Sequence, residues 1–170
     1  MRKKMGIAAL LVGLTVCSQA ALTLAGGKQT VGWVETVAIH PGNLKIKAKL
    51  DTGAENSSLN ATAIEYFTRD NSTWLKFDIR NFEGRVETFE AVFTRRAQIK
   101  RLGGKSVLRP AIRLGICLGT TYKEIEVNLA DRTGFDYQML IGRSFLEGSF
   151  LVDPEVTFLS RPDCKGPGVQ

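Results

Sequence analysis

Between residues 44 and 50 the chain alternates strictly: Leu44, Ile46, Ala48 and Leu50 are apolar, with Lys45, Lys47 and Lys49 between them. A period of two puts each set on its own face of an extended strand, so the segment reads as a half-buried β-strand. It runs straight into Asp51. Upstream, Val31, Trp33, Val34, Val37 and Ile39 predict another strand, ended by turn chemistry at His40-Pro41-Gly42-Asn43. Residues 74–79 alternate again, and residues 85–93, 112–116 and 123–129 continue in the same style. A short apolar run, Met139-Leu140-Ile141, is stopped by Gly142, and residues 150–152 and 156–159 predict two closing strands joined at Asp153-Pro154. Helix is scarce. Residues 143–147 predict one or two helical turns before Gly148, and residues 60–67 a short helical or irregular segment. Many short strands separated by turns predict an all-β domain, a small barrel or sandwich.

The first twenty residues do not share this texture. Arg2, Lys3 and Lys4 precede an apolar run over residues 5–17, too short for a stable membrane span, and Ser18-Gln19-Ala20 offers the small residues a signal peptidase accepts. Residues 1–20 therefore read as a signal peptide, 21–30 as a flexible leader, 31–160 as the folded domain and 161–170 as a loose Pro- and Gly-rich tail. The expected location is periplasmic or otherwise exported, with no membrane span after cleavage. A lipoprotein signal ending at Cys17 is the rival, disfavoured by the size of Val16. The formal net charge of +6 falls to +3 once the three basic signal residues are removed, which gives no case for a nucleic-acid partner. Cys117 and Cys164 remain after cleavage; in an oxidising compartment they are a candidate disulfide, the alternative being two separate thiols.

Asp51-Thr52-Gly53-Ala54 carries the chemistry. An acid catalyst of amide hydrolysis needs a carboxylate held at the end of a strand, and a following Gly lets backbone or substrate approach closely. Some ninety residues later, Met139-Leu140-Ile141-Gly142-Arg143 supplies an apolar strand, a Gly and a helix start. Together the two motifs resemble the retropepsin-like aspartic proteases, and most closely a glutamate-ligase-associated bacterial branch historically labelled "ATP-dependent zinc proteases". Gly32-Trp33, Arg109-Pro110 and residues 150–154 extend the likeness in order. The resemblance implies a closed retropepsin-like barrel with one short C-terminal helix. It makes Asp51 the catalytic carboxylate, with Thr52, Gly53, Ala54, Leu140, Ile141 and Gly142 supporting its loop.

The chain has one Asp-Thr-Gly, whereas aspartic proteolysis needs two carboxylates sharing a proton. The partner is therefore expected to be a second copy, with activity favouring mildly acidic conditions. Asp136, near the second motif, is the rival intramolecular partner. The basic stretch with Arg95, Arg96, Gly103 and Gly104 lies where retropepsins carry a flap, which could steer acidic peptides toward the dyad. The bland alternative is a solvated hairpin. The historical label finds no footing in the residues. The chain has a single histidine, His40, expected as a surface turn residue, and no phosphate loop of the right spacing. No metal and no cofactor is expected. The competing class is a non-catalytic module that holds a peptide or partner on the same fold.

Overall fold

A computed structural model describes residues 27–100 and 103–164. The expected signal peptide, Cys17 and the last residues of the tail lie outside them. The described chain forms ten strands and one short helix: β1 (Gln29–His40), β2 (Leu44–Leu50), β3 (Ser57–Asn60), β4 (Thr62–Arg69), β5 (Ser72–Arg80), β6 (Val86–Ile99), β7 (Val107–Leu118), β8 (Thr121–Ala130), β9 (Met139–Ile141), α1 (Arg143–Leu146) and β10 (Phe150–Thr157).

The strands are ordered β10-β1-β2-β9-β3-β8-β7-β6-β5-β4, and a further β1–β7 pairing closes β1-β2-β9-β3-β8-β7 into a six-stranded barrel. Closure removes the edges of the six barrel strands and leaves β10 and β4 as the outer strands of the sheet. The fold is thus the closed retropepsin-like barrel that the sequence implied. Alternation fills the interior: Ile46, Ala48, Leu50, Leu59, Ile116, Val127, Met139 and Ile141 share one core with Phe145 from α1. Burying one such large side chain contributes about 1.5–3 kcal/mol. β6 pairs with β5 over residues 86–92 and with β7 from Phe93 to Ile99, so β4, β5 and β6 extend the sheet beyond the barrel.

Three local expectations need correction. Residues 60–67 are not helical; they end β3 and form most of β4. Ala63 sits at φ 50°, inside a register shift between Thr62 and Glu65, so the half-buried Ile64 and Phe67 fall three residues apart and imitate a helical spacing. The two closing strands are one, because Pro154 lies within β10, an edge strand that does not need its N–H. His40 is not a surface turn residue. It is half-buried, with a cis bond to Pro41, its ring edge-on to Tyr122 at 5.3 Å and its Nε2 buried without a hydrogen-bond partner.

Beyond β10 the chain crosses the barrel wall as a strap. A fully buried carboxylate, Glu35, holds it: Oε1 accepts from the N–H groups of Gly32 at 2.7 Å and Leu159 at 3.0 Å, and Oε2 from Ser160 N at 3.1 Å and its hydroxyl at 3.2 Å. Farther on, Asp163 N donates to Gly119 O at 2.8 Å and Cys164 is joined to Cys117 by a disulfide.

Candidate active site

β2 delivers Asp51 to the surface on a short loop, Asp51 and Ala54 half-buried and Thr52 and Gly53 exposed. Asp51 Oδ1 accepts the N–H of Gly53 at 2.9 Å and of Ala54 at 3.2 Å, so the loop's own backbone fixes the carboxylate. One oxygen is thereby oriented.

The second motif braces this loop. β9 runs parallel to β2, with Leu50 opposite Ile141, and Asp51 N donates to Ile141 O at 2.8 Å. Past Gly142, Arg143 N donates to Ala54 O at 2.8 Å and Ser144 N to Glu55 O at 3.0 Å. Gly142 N reaches Ser57 Oγ at 3.1 Å. A side chain at Gly142 would meet Glu55 O at 2.6 Å, which explains glycine there: the two backbones touch. Ile141 and Gly142 thus lie against the Asp51 loop, and Leu140 lines a cleft together with Ala54. α1 completes the brace. Phe145 and Leu146 are buried, and Lys123 Nζ donates to the carbonyls of Phe145 at 2.7 Å and Glu147 at 3.1 Å at the helix end. Burial pulls the Lys123 ammonium below its ordinary value, against the raising effect of Glu147.

Several residues at this site carried no assigned role in the sequence. Arg143 Nη1 donates to the carbonyls of Thr52 and Gly53, each at 3.0 Å, clipping the exposed loop from outside. Its position directly after Gly142 was the available signal. Beside the loop opens a cleft of about 450 Å³. Ala54, Ser58, Lys100, Arg109, Arg132 and Leu140 are among its lining residues. Asn128 receives Arg109 Nη1 at 3.2 Å and donates to Ser57 O at 2.7 Å, tying the arginine to the strand after the loop. Ser58 is 5% exposed and its hydroxyl has no partner. Arg132 is anchored by Tyr137 O at 3.2 Å and stacks on Phe135 at 4.7 Å. Burial, and next the nearby Arg109 charge, hold the Arg132 guanidinium below its ordinary value, while Asp51 pulls it the other way. Nothing in the sequence singled out Arg132, since it reaches the cleft from a loop.

The remaining candidates are dispersed. β6 and β7 form the hairpin expected as a flap, with Gly103 and Gly104 exposed at its tip and Ile99 and Lys100 on the cleft. Arg95 is not at the tip; it pairs with Glu126 on the barrel wall, and Arg96 lies opposite Pro110. Asp136 is an exposed loop residue. Among the described residues no three His, Cys, Asp or Glu side chains gather as a metal site. A larger cleft of about 770 Å³, lined by His40, Trp74, Arg113 and Tyr122 among others, opens at the opposite end of β2 from Asp51.

A loop of Asp-Thr-Gly-Ala at the end of one strand, locked by a parallel apolar strand, Gly and helix, sets the expectation for relatives. The RimB-like family, described as "Retropepsin-like aspartic endopeptidase RimB", matches residues 30–163. The chain belongs to this family. A solved Legionella pneumophila protein described as of unknown function is 31% identical. The likeness covers 79% of this chain and all of that one, with a TM-score of 0.69. Two curated relatives are each named "Probable alpha-L-glutamate ligase". The Shewanella pealeana protein is 35% identical over 116 residues, which is 66% of this chain and 25% of that protein. The Parasynechococcus marenigrum protein is 35% identical over 113 residues, or 65% and 24%. This RimB-like chain thus spans about a quarter of the length of the ligases it matches.

Proposed function

We propose that the protein is an exported aspartic endopeptidase whose Asp51 meets the same residue of a second copy across a two-fold axis. The observation that carries this reading is the Asp51 loop itself, rigidly braced from behind yet exposed in front, as one half of a catalytic pair has to be. Two carboxylates so placed share one proton. The ionised one takes a proton from water as the water oxygen bonds to the peptide carbonyl carbon, and the protonated one gives its proton to the carbonyl oxygen. The resulting gem-diol collapses as the C–N bond breaks: the proton gained from water passes to the leaving amine, and the other carboxylate takes a hydroxyl proton back, which restores the one-proton pair.

The cleft beside the loop favours acidic peptides, because three cations, Lys100, Arg109 and Arg132, line it against the one acid Glu55, together with an unpartnered buried hydroxyl. The β6–β7 hairpin would close over a bound peptide and exclude water. Export follows from the basic-apolar-small pattern of residues 1–20, and the glutamate-ligase naming of the relatives agrees with acidic substrates. No metal or cofactor enters the mechanism.

The cationic cleft alone also favours a second reading, a module that holds acidic peptides without cutting them. Incubating the protein with a peptide library between about pH 4 and 8, beside Asp51→Asn, separates the two. Cleavage by the unaltered protein only supports the peptidase. Retained binding of acidic peptides with no cleavage by either supports the module.

A further inference from the structure

The alternation that produces β2 leaves three lysines outside the barrel, and hydrolysis at Asp51 does not use them. Lys45 and Lys49 are exposed and Lys47 half-buried, two residues apart along one face, or about 7 Å. Among the described residues none of the three pairs with a carboxylate. Apolar side chains flank them. Lys47 Nζ stands 5.1 Å from the centre of the Phe82 ring and 5.7 Å from that of Phe158. Phe82 is 42% exposed, Phe158 48% and Leu159 55%.

Rigid supports hold these residues outward. The turn carrying Phe82 is pinned by Asn81 Oδ1, which accepts the N–H groups of Glu83 at 3.0 Å and Arg85 at 2.8 Å. Phe158 sits at φ 54°, a conformation uncommon for a bulky side chain, with its N–H bonded to Val34 O at 2.8 Å. Leu159 is tied by its N–H to the buried Glu35 carboxylate. Phe82 and Phe158, fixed beside lysines that lack carboxylate partners, and the exposed Leu159 next along the strap make an amphipathic face on a folded barrel.

The geometry points to an anionic lipid surface as the partner of this face. Lysines 45, 47 and 49 meet headgroup phosphates, while Phe82, Phe158 and Leu159 enter the boundary with the acyl chains. A soluble polyanion would satisfy the ammonium groups but would leave the apolar flank in water. The exposed acids on the elements that form the face are Glu83, in the Phe82 turn, and Asp163, four residues beyond Leu159 on the strap.

The test is co-sedimentation of the whole chain with vesicles of phosphatidylglycerol and phosphatidylcholine, compared with phosphatidylcholine alone. The readout is the ratio of the two affinities, which cancels any apolar binding common to both. Lys45→Gln, Lys47→Gln and Lys49→Gln together are expected to lower that ratio on the order of a hundredfold, roughly fivefold per lysine. Salt of about 0.5 M should weaken the unaltered protein likewise. The pair Phe158→Ser and Leu159→Ser, with all lysines kept, is expected to weaken anionic-vesicle binding roughly tenfold and to leave retention on dextran sulfate unchanged. An unchanged ratio in a folded triple-lysine variant overturns the proposal. So does full vesicle binding by the Phe158 and Leu159 pair, which would assign the lysines to a soluble polyanion.

Discussion

Gly142 is where two backbones come closest at the candidate site, and Gly142→Ala tests that contact. The added methyl would lie 2.6 Å from Glu55 O, 2.7 Å from Asn56 C and 2.8 Å from Asn56 O. All three are backbone atoms, so no side chain can swing aside. Restoring ordinary contact moves the two segments apart by about 0.8 Å. That displacement stretches the bonds between them, Arg143 N to Ala54 O at 2.8 Å, Ser144 N to Glu55 O at 3.0 Å and Gly142 N to Ser57 Oγ at 3.1 Å, past useful length. Losing two or three such bonds at about 1 kcal/mol each, with some overpacking, destabilises the fold by about 2–4 kcal/mol. The melting temperature should fall by about 6–15 °C. Displacing the Asp51 carboxylate by this distance should lower peptide cleavage on the order of a hundredfold. Gly148→Ala is the control. Gly148 has φ 75° with nothing within 4 Å of the added carbon, so it should cost about 1 kcal/mol of backbone strain and spare activity. A Gly142→Ala protein that melts within about 1 °C of the parent, with full cleavage, would refute the close-approach account.

Other parts of the structure give further expectations. Glu35→Ala leaves the N–H groups of Gly32, Leu159 and Ser160 without their buried acceptor, and should lower stability by about 3 kcal/mol, read by thermal melting. It should also raise hydrogen exchange at Leu159 and Ser160. Replacing both Cys117 and Cys164 by Ser removes a crosslink of sequence separation 47, worth about 4 kcal/mol by loop-closure entropy, and denaturant melts should show the loss. Arg143→Ala removes the donor to Thr52 O and Gly53 O and should lower kcat at least tenfold with little change in KM, since it orders the loop rather than the peptide. Arg132→Gln should raise KM for acidic peptides several-fold and leave KM for neutral ones unchanged, which steady-state kinetics on paired peptides would reveal.

Much of this arrangement was legible in the chain because period-two alternation is a local signal. Leu44 to Leu50 announces β2 directly, and the apolar run before Gly142 announces β9, while the pairing of the Asp51 loop with its brace came from the resemblance to the retropepsin-like proteases. Reading failed where tertiary context outweighed local pattern. The bulge at Ala63 disguised β4 as helix, and an edge position let Pro154 stay within β10. Arg132, Asn128 and Ser58 come from a loop and two strands distant in sequence, and the β3–β8 pairing that sets Ser58 opposite Asn128 brings them to one cleft. Glu35 looked like one more polar residue in a strand. Its burial depends on a strap more than a hundred residues later in sequence.

The proposed chemistry comes down to whether one Asp51 is useless without a second. Mixing the parent protein with Asp51→Asn at equal amounts, under conditions where subunits exchange fully, tests this directly. If both carboxylates of a dimer are required, peptide cleavage falls to about a quarter of that of the same total of parent protein, because only parent–parent pairs work. Activity at about half, the value for chains that act independently, would contradict the shared dyad.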